Sequence, residues 1–319
     1  MKSPQVADVQ IIRARTLAKE RALDVTASKV GALFGDSYNS AYAMWLAHRG
    51  EGVDDDEGDL DESPEYVRVG QAIEPAIAGL VRERLGWTLR KSTTYLRSPS
   101  LRIGATVDYY VMGQSDVGRG VLEIKNCSSW AWRDKWRDGE LVPLRYQAQI
   151  QTQMALAGAR WGAFGCLVAG GEIIVMPQKF DPAIWANILK HVAWYWTTVK
   201  RGHPAPIDFA KDARLITDTT KLDKKKAIDL STSNRFVSLV EEWKRETADR
   251  KTYGEIASRL DKLVRAKQAE MLYLAGDASI VEIGNGEAIA IKERTRPETV
   301  QSASRWFEMK LTKSKEKDE

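Results

Sequence analysis

The chain has 319 residues, 43% hydrophobic and 29% charged, which excludes a disordered or collagen-like polymer and allows a sizeable core. With two cysteines (Cys127, Cys166) and three scattered histidines (His48, His191, His203), one chain cannot assemble a zinc finger or a cysteine-held iron–sulfur cluster, so any metal must rest on oxygen ligands that suit magnesium or manganese. The net charge of +4 permits an anionic partner without demanding one.

Lys2, Asp8, Arg13, Arg15, Lys19 and Glu20 leave no apolar core near the N-terminus, and the longest uncharged apolar run, Trp161 to Gly171, is 11 residues. No secretory signal and no membrane span are therefore expected, and a cytoplasmic protein is. Between Glu51 and Glu65 stand nine acids and no base. A solvated acidic loop explains them better than a calcium site, since the EF-hand ligand pattern is incomplete. Outside it, 48 basic residues face 35 acidic ones, a surplus of 13.

In chain order, Ser63-Pro64 reads as an N-cap with proline at the first helical position. Val67, Ile73, Ile77, Leu80, Val81 and Leu85 then recur at helical spacing until Gly86. Runs rich in β-branched and aromatic residues follow at Thr93–Arg97, Ile103–Met112 and Val121–Lys125, predicting three strands in meander order. A helix is predicted around Tyr146–Ala157, then a hairpin from Trp161–Val168 and Ile173–Met176 around Ala169-Gly170-Gly171. Asp181-Pro182 opens a helix to about Arg201. Gly202 to Pro206 and the basic stretch Lys221–Lys226 place a boundary near residue 210, giving domains 1–210 and 211–319. Beyond it, Phe236, Leu239, Val240 and Trp243, then Tyr253, Ile256, Leu260 and Leu263, predict long amphipathic helices. Val281–Ile291 predicts a hairpin around Gly284-Asn285-Gly286.

The chemistry concentrates on two adjacent strands. Glu123 and Lys125 alternate with Ile124, so acid and base leave one face of a strand while Ile124 enters the core from the other. A hairpin would bring Asp108 beside them. Two nearby carboxylates repel unless a cation lies between them, and the Ile124 main-chain carbonyl could complete an oxygen-only magnesium site, with Lys125 serving the metal-bound water. An ordinary cross-face ion pair on an exposed strand competes with that reading.

Further along, Trp130, Trp132 and Trp136 stand among Arg133, Lys135 and Arg137. They read either as a stacking surface for single-stranded nucleic acid or as a core-facing helical stripe, the second being favoured.

The order of motifs resembles the YqaJ-type viral recombinase family, which includes the phage lambda exonuclease, among the PD-(D/E)xK nucleases. Five pieces carry the resemblance across roughly residues 15–205. They are Arg21 five positions before Thr26-Ala27-Ser28, Gly70-Gln71-Ala72-Ile73-Glu74-Pro75, Asp108, Leu122-Glu123-Ile124-Lys125, and Tyr146-Gln147-Ala148-Gln149-Ile150-Gln151. The sequence departs from the family where Val107 and Tyr109 flank the first acid, in place of the common Pro-Asp-Gly, and where Gln114–Gly120 lengthens the interval to Glu123.

The resemblance implies a restriction-endonuclease-like α/β core, a central mixed sheet flanked by helices; residues after about 210 lie outside it and are expected to form a C-terminal helical and hairpin appendage for self-association or partner contact. It implies that Asp108, Glu123, the Ile124 carbonyl and Glu74 hold Mg2+, with Mn2+ as a substitute. Lys125 would serve the attacking water, Gln149 would support the site, and Arg21, Thr26 and Ser28 would hold a 5′-phosphate. The serine or threonine is expected at a helix start, where N–H groups point outward. The implied activity is 5′-to-3′ exonuclease digestion of double-stranded DNA ends by a trimeric homo-oligomer, leaving single strands for an annealing protein. An endonuclease, and a non-catalytic DNA-binding protein with a nuclease fold, are the alternatives.

Overall fold

A computed structural model describes residues 6–13, 17–51, 65–113, 118–220, 227–275, 280–284 and 287–290. Most of the acidic segment, Ser63-Pro64, Gln114–Val117 and Asn285-Gly286 lie outside them. The chain divides into two compact units, Met1–Thr220 and Lys221–Glu319.

The first unit opens with β1 (Gln10–Arg13), α1 (Leu17–Arg21), β2 (Val25–Thr26), a 3-10 turn (Val30–Phe34) and α2 (Ala41–His48). The Ser40 hydroxyl caps α2 by accepting from the Ala43 N–H. Next comes α3 (Glu65–Leu85), which stops where Gly86 takes φ +64°, a left-handed value that glycine adopts without strain. The strands β3 (Thr88–Lys91), β4 (Thr94–Ser98), β5 (Ile103–Thr106), β6 (Tyr109–Met112) and β7 (Gly120–Cys127) follow, then α4 (Ser129–Lys135), α5 (Leu144–Ala157), β8 (Trp161–Val168), β9 (Glu172–Lys179), α6 (Pro182–Arg201) and α7 (Phe209–Thr219). Asp181 caps α6 through the Ala183 and Ile184 N–H groups, with proline at the first helical position as the sequence predicts.

The strands form two mixed sheets, ordered β1-β4-β5-β2 and β3-β6-β7-β8-β9. β7 and β8 run parallel, and β6 and β9 flank them antiparallel. On one face Ile77, Ala78 and Val81 of α3 pack against Tyr109, Val111, Leu122, Ile124 and Ala163. On the other, Ile150 and Met154 of α5 and Ile188, Val192 and Tyr195 of α6 join Phe164 and Cys166 in the larger core. A mixed sheet between helices is the architecture expected.

One difference from the expected strands matters for the site. Ile103–Met112 is not a single strand, because β5 lies in the first sheet and β6 in the second, with the chain crossing at Val107-Asp108. Pairing of β6 with β7 ends at Tyr109 opposite Leu122. Beyond that point an Asp108 carboxylate oxygen accepts the Ile124 N–H at 2.8 Å. A short side chain thus replaces the carbonyl that a continued strand would have offered, and the two sheets fork at Asp108.

The first compact unit runs through Thr220. α7 belongs to the first unit because its Asp212, 2% exposed, accepts from the Ser40 hydroxyl at 2.5 Å and from the Asp208 N–H at 2.8 Å. The second unit contains α8 (Asn234–Ala275) and a hairpin of β10 (Ile280–Gly284) and β11 (Glu287–Ala290). Where several amphipathic helices are expected, α8 is one 42-residue helix. At 100° per residue, Phe236 and Trp243 occupy a face about two-fifths of a turn from that of Ile256, Leu260 and Leu263.

Candidate active site

The strand alternation expected at β7 is observed. Leu122 and Ile124 enter the core beneath α3, and Glu123 and Lys125 leave the opposite face toward α5. Glu123 is 4% exposed, and a carboxylate that dry must be compensated. One oxygen accepts from the Lys125 ammonium at 2.6 Å and the Gln149 carboxamide at 2.6 Å, and the other accepts from the Gln153 carboxamide at 2.5 Å. Lys125 also donates to the Gln149 carboxamide oxygen at 3.2 Å and lies 4.7 Å from the centre of the Tyr146 ring. Acid, base and amide are therefore one network rather than a solvated surface pair.

Two opposing effects act on Lys125. Burial pulls its pKa down, but the carboxylates of Glu123 and Asp108 outweigh that, so the ammonium is held more firmly than usual. Asp108 goes the other way from a free carboxylate. Burial first, then the adjacent Glu123 charge, push its carboxyl well above 3.8, while Lys125 and the Ile124 N–H resist.

Glu74 is placed differently from the other acids. On α3 its buried Oε1 faces the Lys91 ammonium at 3.3 Å, and its charge acts on Asp108 and Tyr109. Among the described residues, no group of three or more His, Cys, Asp or Glu side chains comes together as a ready metal cage. The charges of Glu123 and, more weakly, Glu74 reach Asp108 at the fork.

Arg21, Thr26 and Ser28 all lean toward β5. The Arg21 guanidinium donates to the Thr106 hydroxyl at 3.2 Å, β2 pairs Thr26 with Gly104, and the Thr26 and Ser28 hydroxyls lie 3.1 Å apart. The expected helix start is corrected here. Thr26 is buried in a strand, and the five-residue 3-10 turn that follows is preceded by Lys29 and lacks a side-chain cap. The chain needs Thr26 as a strand residue because β5 offers it a parallel partner.

Gln153 escaped the sequence reading. Its carboxamide also donates to the Thr106 carbonyl at 2.8 Å, linking Glu123 to the strand that receives Arg21, and its own oxygen is buried without a partner. The signal was the four-residue spacing from Gln149, which puts both on one helix face. Gln151 points elsewhere, donating to the Lys179 carbonyl and accepting from the Asp181 N–H. The tryptophans divide similarly. Trp132 and Trp136 are core residues with ring centres 5.7 Å apart, and Trp130 is exposed beneath Lys135 at 5.2 Å.

Three comparisons bear on identity. Residues 17–160 match the model of the YqaJ-like viral recombinase domain. No curated protein matches. Among solved structures, the chain is similar to an alkaline exonuclease, LHK-Exo, from Laribacter hongkongensis (21% identity, 59% of this chain and 94% of that chain, TM-score 0.48), also solved in complex with dAMP (20%, 58% and 91%, TM-score 0.46). It is also similar to a phage-related exonuclease from Haemophilus somnus 129PT (14%, 58% and 97%, TM-score 0.42). The stretch that matches the YqaJ-like viral recombinase domain, residues 17–160, is the one that holds the Arg21, Glu74, Asp108, Glu123, Lys125 and Gln149 motifs in order.

Proposed function

We propose that the protein is a Mg2+-dependent exonuclease that digests linear double-stranded DNA from its 5′ ends. The observation that carries this reading is the buried Glu123–Lys125–Gln149 network with Asp108 joined to it across the sheet fork. The donor set fits a hard ion that keeps several of its own waters, which needs only one or two carboxylates. Asp108 and Glu123 are close enough that burial and mutual charge hold the Asp108 carboxyl toward its protonated form, the state expected of paired acids short of a cation. Those two side chains and the Ile124 carbonyl would hold the ion, Mn2+ substituting, with Glu74 as an additional acid. The ion would lower the pKa of a water and neutralise charge on the phosphate.

This chain's residues supply the rest. Lys125, whose ammonium donates to Glu123 at 2.6 Å, would orient the attacking water and place positive charge beside the phosphate. Gln149 and Gln153 hold Glu123 in one orientation. Arg21, with Ser28 and Thr26, forms the candidate 5′-phosphate contact. Among the described residues no helix is long and apolar enough to cross a membrane. We assign the strand released to a single-strand annealing protein, and the second unit to self-association, as in a trimer, or to partner capture.

A time course on linear duplex labelled separately at its 5′ and 3′ ends, with and without Mg2+, tests the reading. Loss of the 5′ label first, abolished by chelation or Lys125→Ala, is the expected result. Equal cutting of closed circles would make the protein an endonuclease, and salt-sensitive binding without cleavage would make it a DNA-binding protein alone.

A further inference from the structure

Beside the Lys125 network lies an aromatic surface that the reaction so far does not use. Tyr38 sits in the loop between the 3-10 turn and α2 with 77% of its surface exposed, yet one face of its ring is covered. The Arg145 guanidinium lies 4.5 Å from its ring centre. Arg145 is itself 5.0 Å from the centre of the Tyr146 ring, whose face carries Lys125 at 4.7 Å. Contacts of 5.0 Å or less thus connect Lys125 to Tyr38, a span of about one to three nucleotides of a strand.

The support beneath this surface is built with care for its position. Asp36 accepts the Arg145 N–H at 3.0 Å and its guanidinium at 3.4 Å, tying the Tyr38 loop to the first turn of α5. Gly31 lets the two come together, since a Cβ there would meet the Arg145 Cβ at 2.7 Å. The guanidinium is incompletely committed, for its Nε has no hydrogen-bond partner. A large ring kept in water but fixed in place forgoes the gain of burial, and it suits a flat ligand that arrives from solution.

We propose that Tyr38 and Arg145 form a nucleobase-stacking platform for single-stranded DNA next to the cleavage site. The ring offers a sequence-tolerant π face and Arg145 adds its positive charge, the combination by which single strands are held. This rests on the nuclease reading above but is tested separately from it.

The experiment titrates single-stranded oligonucleotides bearing one 2-aminopurine, or one abasic site at the same position, into the full chain in EDTA. Wild type is compared with Tyr38→Ala, Tyr38→Phe and Arg145→Lys. We expect fluorescence quenching in wild type and Tyr38→Phe, and affinity about ten- to a hundredfold weaker in Tyr38→Ala. An abasic site at the contacted position should cost wild type a similar factor and Tyr38→Ala nothing further. Arg145→Lys should weaken binding while keeping base sensitivity. The proposal is overturned if wild type does not bind single strands, if Tyr38→Ala binds as wild type does, or if it loses affinity equally on intact and abasic strands. Because no metal is present, a failure of cleavage with this pattern intact would sink the nuclease reading and leave the platform standing.

Discussion

Replacing Gln153 by leucine tests whether the buried glutamine positions Glu123. The substitution keeps an apolar side chain of similar reach and removes both donations of the carboxamide, one to Glu123 at 2.5 Å and one to the Thr106 carbonyl at 2.8 Å. A hydrogen bond to a buried charge contributes about 1.5–3 kcal/mol and the neutral one about 1 kcal/mol. Against this, the partnerless Gln153 oxygen no longer has to be desolvated, which returns about 1–3 kcal/mol. The net loss is about 1–2 kcal/mol, or roughly 2–8 °C in Tm for a unit of this size. The catalytic effect should exceed the stability effect. Outer-shell partners of metal-binding side chains cost about 10–100-fold when removed, so kcat should fall by that factor with KM unchanged. Thermal melts in EDTA and steady-state digestion of linear duplex at saturating Mg2+ measure the two. Gln153→Leu with wild-type Tm and wild-type kcat would refute the assignment. Gln153→Glu, which sets a second carboxylate against Glu123, should be worse on both counts.

Other outcomes follow from the same coordinates. Asp108 has a folded pKa raised above its ordinary 3.8, so in metal-free protein its contribution favours folding at low pH and is lost as pH rises through the raised value. Asp108→Asn should remove that dependence, making the variant more stable than wild type in EDTA at neutral pH and insensitive to added Mg2+; identical pH–stability curves for the two proteins would count against the shift. Arg97→Met strands Asp24, whose side chain is 0% exposed and bonded to Arg97 at 2.9 Å. A cost of about 3–5 kcal/mol is expected in urea melts, and a loss under 1 kcal/mol would show the pair to be dispensable. A chain ending after Thr220 should keep the fold of the first unit, and one ending before Asp212 should lose the buried Ser40–Asp212 bond and melt earlier; equal melting of the two would contradict the placement of α7.

The side of β7 on which Glu123 and Lys125 emerge was legible from alternation alone, because a pleated strand leaves its side chains no other choice. The helix ends at Gly86 and Asp181 were legible for the same kind of local reason, a left-handed glycine in one case and a cap before proline in the other. The order of the family motifs was equally visible. What local rules could not reach was every feature that depends on a distant segment. Ile103–Met112 has the composition of one strand, and nothing within it reveals that Asp108 will spend a carboxylate oxygen on the Ile124 N–H and split the sheets. Thr26 looked like a helix entry until β5 claimed it as a strand neighbour. Gln153 looked like one more polar residue on a glutamine-rich helix until Glu123 lay across from it. Periodicity and capping follow from bonds within a few residues, so the linear order encodes them. The fork, the bonds of Gln149 and Gln153 to the dry carboxylate and the Tyr38–Arg145 contact arise from pairs separated by 16 to more than 100 positions, and such pairs acquire their meaning when packing brings them within contact range.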